Sequence, residues 1–108
     1  MNQLIMNWSS TQFYLGKLSA APVVSDHRLC DLAEVKDGTL TNTVLRFIDT
    51  AGKELRESSS QSRSAPSFAN RGEAAIVIDY VLKLINHGLK SDQIAIITPY
   101  KAQVFNGL

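Results

Sequence analysis

The chain has 108 residues, of which 44% are hydrophobic, and its 11 basic and 10 acidic side chains leave a formal net charge of +1. That length holds one domain or part of one, with a modest core. The balanced charge excludes a general electrostatic pull on nucleic acid, so such a contact has to come from a local patch.

The lone Cys30 cannot form an internal disulfide, and His27 and His87 stand far apart with no Cys/His cluster at metal-ligand spacing. Both histidines read as surface or satisfied side chains. No segment resembles a signal peptide, and no apolar run approaches the roughly 20 residues of a membrane-spanning helix. No membrane partner is expected, and an intracellular, reducing location follows by default.

From Met1 to about Tyr14, the residues Met1, Leu4, Ile5 and Trp8 fall in phase as a helical stripe. No capping residue precedes it, so the start is expected to be frayed or to continue an element that begins upstream. The spacing of Trp8, Phe13 and Tyr14 on this helix favours core packing over base stacking. Gly16 and Pro22 break the pattern, and Ser19 to Val35 reads as loop.

Val44 to Thr50 has the composition of a strand, ended by Ala51-Gly52. Lys53 to Phe68 is polar and holds six serines, which predicts an exposed flexible loop over residues 53–69.

Asn70 opens the strongest helical pattern. It reads as the N-cap, and Glu73, three residues on, makes the pair a variant of the capping box. Ala74, Val77, Ile78, Val81, Leu82 and Ile85 form one apolar face. Gly88 reads as the residue just past the helix end, with Leu89 supplying the accompanying hydrophobic contact.

Ile94, Ala95, Ile96 and Ile97 are apolar without alternation, which predicts a strand buried on both faces in a parallel sheet. Thr98 can cap the helix that follows, and Pro99 suits its first position. A strand, a sharp turn and a helix start form the corner where α/β proteins meet ligands. Thr98, Tyr100 and Lys101 there could hold a phosphate chain. A helix between two strands is a βαβ unit, with parallel strands and a right-handed crossover. The class is therefore α/β. Two strands and one crossover fall short of a full doubly wound sheet, and the reading is of one part of a larger α/β domain.

Phe47-Ile48-Asp49-Thr50-Ala51-Gly52-Lys53-Glu54 is similar to the switch segment of small GTPases, Asp-Thr-Ala-Gly-Gln-Glu. That chemistry needs a phosphate loop of the form G-x-x-x-x-G-K-[ST] upstream, and none lies between Met1 and Val44. No Asn-Lys-x-Asp guanine reader follows either. Ordinary turn chemistry at Asp49 is the competing reading.

Several pieces together resemble the second RecA-like domain of superfamily 1 helicases of the nonsense-mediated-decay and immunoglobulin-mu-binding type, nearest the branch associated with DNA polymerase alpha. Met1-Asn2 is similar to the tail of that group's Gln-Tyr-Arg-Met-His motif. Gln3 to Ser10 and then Phe13-Tyr14-Leu15-Gly16-Lys17-Leu18 continue it. The segment Phe47 to Gly52, the Asn70-Arg71-Gly72-Glu73-Ala74 helix start and the Thr98-Pro99-Tyr100-Lys101-Ala102-Gln103 run complete the likeness, which extends over residues 1–108 and is weakest in the middle loops.

The resemblance implies a partial RecA-like (P-loop NTPase-like) parallel sheet with flanking helices. It implies a parent that couples ATP hydrolysis, with Mg2+, to 5′-to-3′ movement along single-stranded DNA or RNA. It also implies a first RecA-like domain as partner and a nuclear or cytoplasmic location. The positions that match the nucleic-acid path are Thr98, Pro99, Tyr100, Lys101 and Gln103, while Asn70 and Glu73 fall to a structural cap. The phosphate-binding loop, the Asp-Glu pair and both arginines of the ATPase have no counterpart here. Phosphoryl transfer depends on those positioned charges, so the chain alone is expected to be inactive. Unpaired sheet edges predict self-association, including a homodimer that swaps an end helix. The alternative function is a stand-alone α/β interaction module.

Overall fold

The computed structural model describes residues 1–60 and 67–107. The chain divides into two compact units, one of Met1–Phe47 with His87–Leu89, the other of residues 48–86 and 90–107.

The first unit opens with helix α1, Gln3–Phe13. Contrary to the sequence expectation, it is capped. The Asn2 carboxamide oxygen accepts the Leu4 N–H at 2.9 Å, and the Asn2 side-chain nitrogen donates to the His27 carbonyl at 2.9 Å. Asn2, Met6 and Ser10, spaced one turn apart, are the buried face. Ser10 Oγ accepts the Leu18 N–H at 3.2 Å, tying the helix to the segment that follows it.

The apolar stripe read from the sequence faces outward instead. Trp8 is 64% and Phe13 69% exposed, and their rings pack edge to face with centroids 5.4 Å apart. The expectation of core packing for these aromatics, and for Tyr14, is therefore corrected. Hydrogen bonds of Asn2 and Ser10 select the buried side, and those two polar residues are invisible to a hydrophobic pattern.

Short helical turns occupy the stretch read as loop. Helix α2 is Pro22–Ser25, a 3-10 turn covers Leu29–Asp31, and α3 is Thr39–Asn42. None is long enough to show a periodicity. Thr41 is fully buried and donates its hydroxyl to the Lys36 carbonyl at 2.7 Å. The unit is closed by residues 87–89. The His87 carbonyl accepts the Lys36 N–H at 2.7 Å, Gly88 takes a φ of +100°, and Leu89 is buried.

In the second unit, β1 (Ser58–Ser60) and β2 (Ser67–Ala69) pair antiparallel, with Ser58 opposite Ala69 and Ser59 opposite Phe68. Both strands come from the stretch read as a loop over residues 53–69, and the rest of it, 61–66, lies outside the described residues. Helix α4, Arg71–Asn86, follows β2, then a 3-10 turn at Ser91–Gln93, then α5, Lys101–Gly107.

The expected strands at Val44–Thr50 and Ile94–Ile97 carry no ladder among the described residues. The Ile94 backbone is extended, at φ −114° and ψ 131°. A strand, however, is a pairing and not a conformation. Without a neighbour the apolar runs stay open, and Phe47 and Ile97 are 90% and 92% exposed. Ile48 and Ile94–Ile97 nonetheless line one cavity of about 540 Å3 with Val77, Tyr80, Val81 and Leu84 of α4. The described chain is thus mixed α and β, with a single antiparallel pair. No helix among the described residues is long and apolar enough to cross a membrane.

Candidate nucleic-acid interface

The corner at Thr98–Tyr100 is held by the start of α4. Asn70, buried at that start, uses every polar group it has. Its side-chain oxygen accepts the Glu73 N–H at 3.1 Å, which satisfies one of the helix's unpaired donors. Its side-chain nitrogen donates to the Leu55 carbonyl at 3.1 Å, and its own carbonyl takes the Ala74 N–H at 3.0 Å.

In a full capping box the Glu73 carboxylate would accept the Asn70 N–H. Here Gln103 takes that place. Its carboxamide oxygen accepts the Asn70 N–H at 2.6 Å, and its nitrogen donates back to the Asn70 carbonyl at 3.2 Å. The Glu73 carboxylate instead accepts the Thr50 hydroxyl at 3.3 Å. A second tie joins β2 to α5, where Ser67 Oγ accepts the Ala102 N–H at 3.0 Å.

These bonds fix how α5 begins. The helix starts at Lys101, so Pro99 precedes it rather than filling its first position. The Thr98 hydroxyl oxygen accepts the Tyr100 N–H at 3.5 Å, a weak local turn bond rather than the expected cap, because Tyr100 itself precedes the helix. Tyr100 is half exposed, and its ring meets the Phe68 ring edge to face, 5.7 Å between centroids. Pro99 and Lys101 are exposed, and Thr98 and Gln103 are half-buried.

Thr98, Pro99, Tyr100 and Gln103 gather with Asn70 and Glu73 around one hollow of about 300 Å3. Lys101 stands at the first turn of α5 beside them. Phe68, Ser67 and Glu57 also belong to this neighbourhood and were missed from the sequence, where the serine-rich composition masks them. The single available signal was an aromatic residue two places before an N-cap.

Asp49 is engaged in the turn that follows it. Its carboxylate accepts the Ala51 N–H at 2.8 Å, a local turn bond. Among the described residues no cluster of His, Cys, Asp or Glu could hold a metal ion. The corner offers an aromatic face, a hydroxyl and an amine, which suit contact with a ligand.

A family model described as AAA domain matches residues 1–106. The chain belongs to the AAA domain family. Within it, this AAA-domain chain is 40% identical over 107 residues to DNA-binding protein SMUBP-2 of Rattus norvegicus, covering 96% of this chain and 10% of that one. It is 36% identical to DNA polymerase alpha-associated DNA helicase A of Schizosaccharomyces pombe, covering 96% of this chain and 16% of the relative. An uncharacterized ATP-dependent helicase of Methanocaldococcus jannaschii is 33% identical, with 96% and 15% covered. The helicase resemblance read from the motifs therefore holds across the AAA-domain chain, which spans between a tenth and a sixth of the length of these relatives.

Proposed function

We propose that this chain is the nucleic-acid-facing portion of the second RecA-like domain of an ATP-dependent helicase, and that its Thr98–Lys101 corner contacts single-stranded DNA or RNA. The observation that carries the reading is Tyr100. Its ring is half exposed and braced by Phe68, and Lys101 follows it at the start of α5. An aromatic face beside a cation is a sequence-tolerant platform for single strands. Thr98 and Pro99 shape the turn. Gln103, read from the sequence as a contact residue, commits its amide to Asn70 and positions the corner.

The parallel RecA-like sheet is part of this proposal. It is supported by Ile48 and Ile94–Ile97 lining one hollow with α4, as strands on either side of a crossover helix would. So are 5′-to-3′ movement, use of ATP with Mg2+, a first RecA-like domain as partner, and a nuclear or cytoplasmic location. They draw on relatives whose names read DNA-binding protein and ATP-dependent helicase. The chain by itself lacks the phosphate-loop sequence, and its proposed role is binding without hydrolysis. The exposed stripe of Leu4, Trp8 and Phe13 supports self-association of the isolated chain, a homodimer included.

The test is an NMR titration of the chain with a single-stranded 12-mer at two salt concentrations. Tyr100→Ala should weaken binding by about 1–3 kcal/mol, the worth of one stacked base. Lys101→Ala should lower the salt dependence. Binding untouched by both substitutions would overturn the proposal.

A further inference from the structure

The hollow beside Tyr100 has a composition that says what can enter it. Its volume of about 300 Å3 is at the lower end for small-ligand sites. Phe68 and Tyr100 form an aromatic wall, rings 5.7 Å apart and edge to face. Ala74 and Val77 add apolar surface, and two carboxylates, Glu57 and Glu73, make up its charged lining.

Two carboxylates repel a phosphate, so the backbone of a strand is kept outside. A flat, uncharged base is not repelled, and aromatic side chains favour its faces. The carboxylates then act on the edge of that base. Cytosine and adenine carry an exocyclic amino donor, and a carboxylate accepts from it. Guanine presents an amino group as well. Thymine and uracil present a single N3–H donor flanked by two carbonyl oxygens that a carboxylate repels, and no amino group. Glu73 keeps capacity for such a bond, because the Thr50 hydroxyl at 3.3 Å takes one of about four acceptor positions on its carboxylate.

We propose that this hollow seats a single nucleobase, its ring against the Phe68–Tyr100 wall and its amino edge toward Glu57 and Glu73. The corner thereby prefers bases that carry an exocyclic amino group over thymine and uracil. The inference rests on the reading of the corner as a single-strand contact and names the base that contact selects.

The experiment is an NMR titration of the 108-residue chain with hexamers of dC, dA and dT, following the Phe68 and Tyr100 ring signals. The dC and dA hexamers should shift both rings at concentrations several-fold lower than dT. In a variant carrying Glu57→Gln and Glu73→Gln the three hexamers should come within two-fold of each other, because an amide can also donate to a carbonyl. Both glutamates are exposed, so the variant should keep its fold, and backbone amide spectra check this. Equal affinity for all three hexamers in the unmodified chain, a preference that survives the double substitution, or a silent Phe68 ring overturns the inference. Binding that is blind to the base yet lost in Tyr100→Ala defeats the inference alone. Absence of binding to any hexamer defeats the underlying reading with it.

Discussion

Gln103 completes the cap of α4 from a distance of 33 residues, accepting the Asn70 N–H at 2.6 Å and donating to the Asn70 carbonyl at 3.2 Å. Removing that side chain leaves a buried backbone N–H without its partner. Gln103→Ala should therefore destabilise the chain by about 1–3 kcal/mol in urea unfolding. Gln103→Glu keeps the acceptor for the N–H but sets a carboxylate against the Asn70 carbonyl. It should cost less at pH 4, where the carboxyl can donate, than at pH 7.

Asn70→Ala should be at least as damaging. It removes the acceptor for the Glu73 N–H and the donor to the Leu55 carbonyl together. An N-cap alone is worth about 0.5–2 kcal/mol, and the Leu55 bond adds to it. Asn70→Asp, which retains only the cap, should recover part of the loss in the same unfolding measurement.

Two glycines separate conformational strain from collision. Gly52 takes a φ of +77° with open space around it, whereas a Cβ on Gly88, at φ +100°, would lie 2.0 Å from the Glu34 carbonyl oxygen. Gly52→Ala should cost about 1–2 kcal/mol, the ordinary penalty of a left-handed alanine. Gly88→Ala adds backbone overlap and should exceed about 4 kcal/mol or prevent folding, as read by circular dichroism.

Cys30 should be a slow thiol. Partial burial first, and then the carboxylates of Asp31 and Asp37, push its pKa up from the usual thiol value. Its Sγ also donates to the Asn42 side-chain oxygen at 3.0 Å. The thiolate is the nucleophile, so a raised pKa means less of it at any given pH. Alkylation by iodoacetamide at pH 8 should lag behind that of the unfolded chain and converge with it only at more alkaline pH. Asp31→Asn should speed it.

The exposed stripe on α1 predicts behaviour at concentration. Leu4→Gln with Trp8→Gln should lower self-association in analytical ultracentrifugation. Because both side chains are already exposed, the unfolding midpoint should move by less than the equivalent of about 1 kcal/mol. A dimer that survives the double substitution would place the contact elsewhere.

How much of this was legible in the sequence varied with the kind of signal. The extent of helix α4 was readable because three independent cues agreed: Asn70 at its start, the 3.6-residue period, and Gly88 just past its end. Its apolar face was not, since Leu84 is buried although it lies off the expected face, while Leu82 is 54% and Ile78 40% exposed. The corner was readable in composition, but its anchoring was not. No spacing rule links Gln103 to Asn70, since that bond belongs to tertiary geometry. The strand expectations at Val44–Thr50 and Ile94–Ile97 found the right extended, apolar character, but composition cannot say whether a partner is present to complete a ladder. On α1 the period located the helix and misassigned its buried side, because Asn2 and Ser10 are held by hydrogen bonds that hydropathy does not register.

Ser67 binds the start of α5 while its neighbour Phe68 presses on Tyr100. Strand β2 is therefore a handle on the aromatic pair. A substitution at Ser67 or Phe68 would act on the tyrosine ring from outside the corner.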